Sequence, residues 1–213
     1  TEDWGTLSLL GPKARDILAK VTTNDVSNTA LPFGSAREID IAGVPARALR
    51  VTYVGELGWE LHIPIAALAA VYDALIAADP LLKPVGYRAL ESLRLEKGYR
   101  AWSSDITPND TPFEAGLGWA VKLKSDLPFL GRAALEALQG KPLVKRLVGF
   151  TVTAPEAVLV GRETILRNGA AVGYLTSGGY GYTLGKSIGY GYVRNADGVT
   201  EDWLSKGRYS LVI

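Results

Sequence analysis

The stretch Arg50-Val-Thr-Tyr-Val-Gly-Glu-Leu-Gly-Trp-Glu-Leu-His-Ile63 constrains the chain more than any other. β-prone residues lie on both sides of two glycines, Gly55 and Gly58, and this pattern predicts a tight hairpin with Glu56-Leu57 as its tip. In that register Val54 faces Trp59, and Tyr53 lies directly opposite Glu60, about 5 Å away across the strands. Side chains alternate along a strand, so Trp59, Leu61 and Ile63 form a core face while Glu60 and His62 share the other. From the residues alone, the second face fits an ordinary solvated hairpin surface at least as well as a site that sets a phenol beside a carboxylate.

The elements around this stretch alternate. Trp4–Leu9 reads as a strand. Gly11-Pro12 then opens a helix carrying Ala14, Ile17, Leu18 and Val21 on one stripe. Thr22–Gly34 is a loop, and Arg37–Ile41 and Pro45–Tyr53 are strands joined around Gly43. A second helix follows Pro64, with Ile65, Leu68, Val71, Tyr72, Leu75 and Ile76 on its apolar side. A third spans Val85–Lys97 and is closed by Gly98 as a left-handed cap. Glu91 on this helix reads as solvated, and Arg88 and Arg94 fit surface charges as well as functional groups. Tyr99–Gly118 is a long connection whose aromatic content argues for order and whose length argues for function. Trp119–Lys124 is expected to be a strand and Gly131–Gln139 a short helix.

Near Gly140-Lys141-Pro142 the periodicity changes to two. Leu147–Val152, Glu163–Leu166, Val172–Leu175, Ile188–Val193 and Tyr209–Ile213 read as short strands, with a turn at Asn168-Gly169. The expected fold class is therefore α+β: a mixed antiparallel sheet with helices, ferredoxin-like in outline, over 1–140, and then a small all-β barrel or sandwich over 141–213.

Composition excludes several kinds of chemistry. The 213 residues hold no cysteine, which removes disulfides, thiolate metal sites and a cysteine nucleophile, and suits a reducing compartment. One histidine cannot build a histidine metal cluster, and no metal site is expected. A net charge of +1 gives no electrostatic pull toward nucleic acid, and no apolar run approaches a membrane span. Gly179–Ser187 imitates a phosphate loop, but its first glycine is out of place and a strand follows it rather than a helix. The carboxylate pairs Glu56/Glu60 and Glu91/Glu96 have no geometry fixed by the sequence.

Several segments in one order carry a family resemblance. They are Tyr53-Val-Gly-Glu-Leu-Gly-Trp-Glu60, Gly86-Tyr-Arg-Ala-Leu-Glu-Ser-Leu-Arg-Leu-Glu-Lys-Gly98 and Asp105-Ile-Thr-Pro-Asn-Asp-Thr-Pro-Phe-Glu-Ala-Gly-Leu-Gly-Trp119, followed by Phe129-Leu-Gly-Arg132 and Gly173-Tyr-Leu-Thr-Ser-Gly178 leading to Leu184-Gly-Lys-Ser187. Together they resemble the folate-binding aminomethyltransferase family, typified by the T-protein of the glycine cleavage system. Tyr99-Arg-Ala-Trp102, Leu123-Lys-Ser-Asp-Leu-Pro-Phe129 and Gly198-Val-Thr-Glu-Asp-Trp203 are most similar to the carboxyl-terminal half of sarcosine and dimethylglycine dehydrogenases.

The resemblance implies tetrahydrofolate as ligand, with Tyr53 packing on it or bonding to it. It implies that Glu60 accepts hydrogen bonds from the pterin ring, and that Arg88 helps to hold that carboxylate or the ligand. It implies FAD in a separate amino-terminal domain of a longer polypeptide and not on this chain, and a cytoplasmic location, or the mitochondrial matrix in a eukaryote. The family's aspartate that faces the reactive folate nitrogen lies in a glycine-rich segment expected ahead of Trp4, so no catalytic base is assigned. The absence of methionine and the ends at Thr1 and Ile213 fit a part of something longer. A free-standing aminomethyltransferase and a non-catalytic module of the same fold are the alternatives, while a cysteine-dependent iron–sulfur-assembly branch is disfavoured.

Overall fold

A computed structural model describes residues 2–154 and 156–213. The chain divides into two compact units, Thr1–Lys97 and Gly98–Ile213. Among the described residues no helix is long and apolar enough to cross a membrane.

The first unit is a four-stranded, wholly antiparallel sheet in the order β1-β4-β3-β2. Its strands are β1 (Trp4–Leu10), β2 (Ala36–Ile41), β3 (Val44–Leu49) and β4 (Gly58–Pro64). The helices α1 (Ala14–Val21), α2 (Leu68–Ala78) and α3 (Tyr87–Lys97) complete the unit. Only two residues join β2 to β3. Ala42 and Gly43 both take positive φ, 52° and 84°, which matches the twist of a tight hairpin, and the Asp40 carboxylate accepts from the Gly43 N–H at 2.8 Å. One face of the sheet buries Leu9, Ile39, Ile41, Ala46, Ala48, Trp59, Leu61 and Ile63 against Ile17 and Leu18 of α1 and Val71 and Leu75 of α2. Trp59, Leu61 and Ile63 share the core face, as their spacing predicts.

The expected register of the hairpin is wrong. β3 leaves the ladder at Leu49, which lies opposite Glu60, and Arg50–Leu57 is an irregular connection rather than a strand and tip. Tyr53 is therefore not the cross-strand neighbour of Glu60. Arg50 still faces β2: its N–H donates to Ser35 C=O at 2.9 Å, and its C=O accepts from Gly34 N–H at 2.9 Å. Its guanidinium reaches Leu31 C=O at 2.9 Å. The break comes at Val51, which would be next to pair with β4, opposite Gly58; its N–H turns back to Leu49 C=O at 3.0 Å instead. The Arg15 guanidinium holds the loop that precedes β2 through Val26 C=O and, at 2.7 Å, through Asn28. The two guanidiniums lie 5.3 and 5.9 Å from the ring centroid of the fully buried Trp59. Burial first, and then the Arg15 charge, pull the Arg50 pKa below its ordinary value.

The third helix starts at Tyr87 and ends, as expected, at Gly98 with φ +76°. Arg94 is not a surface charge: it is 1% exposed, and its Nε and Nη2 donate to the Glu91 carboxylate at 3.0 and 2.7 Å.

The second unit opens with the 99–118 connection and a 3₁₀ turn at Gly118–Ala120, where a strand was expected. Its amides bond three residues back, Ala120 to Leu117 and Val121 to Gly118, so the segment satisfies itself locally and joins no ladder. After α4 (Arg132–Leu138) comes a five-stranded antiparallel sheet in the order β5-β8-β7-β6-β9. Its strands are β5 (Lys145–Thr151), β6 (Thr164–Arg167), β7 (Ala170–Gly181), β8 (Lys186–Arg194) and β9 (Tyr209–Val212). The fold is thus α+β followed by a second antiparallel sheet. Among the described residues that sheet is open rather than a closed barrel, because β5 and β9 are its unjoined edges. Asn168 and Gly169 take φ of 52° and 84° and form the expected turn between β6 and β7. The Gly179–Ser187 run is the end of β7, a turn and the start of β8. The short helix α5 (Glu201–Ser205), not among the expected elements, is capped by Thr200, whose side chain accepts from the Trp203 N–H at 3.1 Å.

Candidate functional site

The face of the first sheet turned away from its helices carries polar rows. Antiparallel pairing sets Ser8, Glu60 and Leu49 side by side on β1, β4 and β3. The next row along is Thr6, His62, Arg47 and Glu38. Glu60 and His62 are half-buried, with side chains 39% and 33% exposed, and His62 Nε2 stands 3.9 Å from Glu60 Oε2. That separation is too long for a hydrogen bond. His62 Nδ1 is hydrogen-bonded to Thr6 Oγ1 at 3.1 Å, and Nε2 has no hydrogen-bond partner among the described residues. The Glu60 carboxylate is thus held on a rigid central strand, half-desolvated and weakly engaged. This arrangement suits a ligand edge that offers two donors.

Tyr53 lies half-buried in the 50–57 connection, at the end of the sheet from which β4 starts. Arg88 is exposed on the first turn of α3. The structure therefore gives Glu60 a defined polar neighbourhood, shares no ladder position between Tyr53 and Glu60, and leaves Arg88 in solvent. A hollow of about 380 Å³ runs along β1, α2 and the start of α3. Its walls are mostly apolar, including Leu7, Leu75, Ile76, Leu90 and Leu93, with Ser8, Glu56 and Lys83 among the charged or hydroxyl-bearing members, so it suits an apolar group better than a heterocycle rich in hydrogen-bonding edges.

The second unit holds a different kind of polar cluster. Asp105 is 1% exposed, and its carboxylate accepts from Thr176 Oγ1 at 2.5 Å, Ser177 Oγ at 2.7 Å and Ala101 N–H at 3.0 Å. Tyr192 Oη donates to the Asp105 carbonyl at 3.0 Å. Nearby, Lys145 Nζ donates to Asp110 Oδ1 at 2.7 Å and to Asn109 C=O at 3.3 Å, with Glu114 Oε2 at 3.6 Å. Burial by itself pushes the Asp110 carboxyl up. The Lys145 ammonium and the Thr107 hydroxyl and amide outweigh it and hold the group below the usual range. Burial, and then the Asp110, Glu114 and Asp105 carboxylates, push the Tyr192 phenol far up. These groups fasten the 99–118 connection to the sheet through β5, β7 and β8. Sequence reasoning marked the connection as ordered but did not foresee the role of Lys145.

Comparison with known proteins settles the ancestry of both units. The description "GCVT N-terminal domain" matches residues 1–125, and "Glycine cleavage T-protein C-terminal barrel domain" matches 145–209. The chain belongs to the glycine cleavage T-protein family. The expected boundary at 140/141 falls in the gap between the two matches, whereas the division into compact units falls at 97/98.

Mouse mitochondrial sarcosine dehydrogenase is 46% identical over 99% of this chain, and human mitochondrial dimethylglycine dehydrogenase is 37% identical over 91%. The chain spans only 23% and 22% of the length of those relatives. The crystal structure of glycine cleavage system aminomethyltransferase T from Bartonella henselae superposes with a TM-score of 0.76 at 33% identity, over 90% of this chain and 52% of that one. Membership of the T-protein family thus rests on both sequence and architecture.

Proposed function

We propose that this chain is the tetrahydrofolate-binding part of an N-methyl amine dehydrogenase of the sarcosine or dimethylglycine type. In such a protein it captures the one-carbon unit released on N-demethylation as methylene-tetrahydrofolate. The observation that carries the reading is Glu60, a half-buried carboxylate on the open sheet face whose nearest cationic candidate is 3.9 Å away. Such a group holds a neutral ring with adjacent N–H donors better than water does, because both carboxylate oxygens can accept at once. Tyr53 supplies an aromatic surface at the near end of the sheet, and Arg88 a cation at the ligand's edge. When bound, tetrahydrofolate supplies the nitrogens that take up the one-carbon unit, while the chain's own contribution is to bind and orient it. FAD belongs to a separate flavin domain as partner, and the mitochondrial names of the relatives point to the matrix as the location in a eukaryote.

Calorimetric titration of tetrahydrofolate into wild type and Glu60→Gln tests the proposal. The amide turns a donor toward donors, a mismatch of about 1–3 kcal/mol, so affinity falls roughly ten- to a hundredfold. Equal affinities would remove Glu60 as a ligand.

A further inference from the structure

Beyond Glu60 the same face continues toward the end of β4. His62 lies two residues on, about 7 Å along the strand. Arg47 on β3 is its partner across the ladder, and Trp4 on β1 is paired with Pro64. β3 and β1 flank β4, yet the Arg47 guanidinium carbon lies 4.9 Å from the centroid of the Trp4 ring. The arginine therefore reaches across β4 and lays its charge over the far end of the face. Trp4, Arg47, Leu49 and His62 line a shallow depression of about 280 Å³ there. Among the described residues the acid paired with Arg47 is Glu38, at a long 3.4 Å between two exposed side chains, a contact that neutralises little. His62 Nε2 is shut off from solvent beside Glu60, without a hydrogen-bond partner among the described residues, and Nδ1 bonds Thr6, so His62 contributes its ring to the wall of the depression.

A flat indole, an apolar Leu49, the His62 ring and a weakly neutralised guanidinium suit an aromatic amide that ends in a carboxylate. We infer that Arg47, Trp4 and His62 form a second subsite, which takes the arylamide-carboxylate tail of the ligand whose ring is held at Glu60. The inference rests on the reading of Glu60 given above. The ligand then lies along β4, with its ring at the Tyr53 end and its anionic tail at the Trp4 end. Arg47 recognises the tail by charge and Trp4 backs the guanidinium.

The test is calorimetric titration of the full chain with two probes, tetrahydrofolate and 6-methyltetrahydropterin, which has the ring and no tail. Arg47→Ala is expected to weaken tetrahydrofolate about fivefold and to leave the tail-less probe unchanged. Equal losses on both probes, or no loss on tetrahydrofolate, overturn the tail placement. Glu60→Gln separates the two ideas, because it should weaken both probes alike. If it weakens neither, the ring reading fails whatever Arg47 does. A wild type that binds neither probe overturns both.

Discussion

The Asp105–Lys145 cluster of the second unit and the open sheet face of the first use polar groups in opposite ways. Around Asp105 and Lys145 the charges are nearly solvent-free and well provided with partners: three donors on the Asp105 carboxylate, and two carboxylates and a carbonyl around the Lys145 ammonium. On the open face of the first sheet, Glu60, His62 and Arg47 are half-buried or exposed, and their mutual contacts are long. Satisfied charge in a low-dielectric interior fixes a conformation, whereas under-engaged charge on a rigid strand is available to a ligand. On the proposed reading the first set is structural and the second is where the ligand binds.

The largest test of that contrast is Lys145→Met. It leaves Asp110 and Glu114 facing a buried site without their cation, at a cost of about 3–5 kcal/mol in denaturant unfolding. The pH dependence must agree in sign. The Asp110 carboxyl is lower in the folded chain than in the unfolded one, so its stabilisation is present above the unfolded value of about 3.9 and disappears as pH falls through the folded one. A variant as stable as wild type at neutral pH would break the assignment.

Asp105→Asn comes next. Its oxygen still accepts from Thr176 and Ser177, but its amide meets the Ala101 N–H donor to donor, costing about 1–3 kcal/mol. Loss of folate affinity with unchanged stability would instead make Asp105 part of the site.

Tyr192 gives a smaller, spectroscopic signal. With its folded pKa raised above the unfolded value of about 10, its neutral form should persist under alkali that ionises a free phenol. Its contribution to stability is complete below pH ~10 and is lost as pH climbs through the folded value. Absorbance at alkaline pH checks this, and ionisation of every phenol together near the ordinary value would contradict it.

Smallest of all is the stability change in Glu60→Gln, expected to stay within about 0.5 kcal/mol in thermal melts. A large loss would move Glu60 to the structural side of the comparison.

What the sequence made legible follows from the range of the interactions involved. Period-two spacing announced Trp59, Leu61 and Ile63 as core, and the Asn168-Gly169 pair announced its turn, because both are local. The ordered motif segments carried the family resemblance over nearly the whole chain. The register of Tyr53 against Glu60 was not legible, since nothing in the β-prone run announces that the Val51 N–H turns back to Leu49 C=O and ends the pairing with β4 there. The burial of Arg94 was not legible because nothing local shows that α3 buries that side. Lys145 was missed because its partners lie 35 and 36 residues away in the 99–118 connection. The cap of α5 was visible in Thr200-Glu-Asp-Trp203, a capping residue followed by two acids, and was simply short enough to overlook.

The central claim is that the ligand occupies the open face of the first sheet. Amide hydrogen exchange with and without saturating tetrahydrofolate tests it most directly. Protection is expected to rise in β4 and in the 50–57 connection, with β7 and β8 around Thr176 and Tyr192 unchanged. Protection confined to the Asp105–Lys145 region, with β4 exchanging as before, would contradict it.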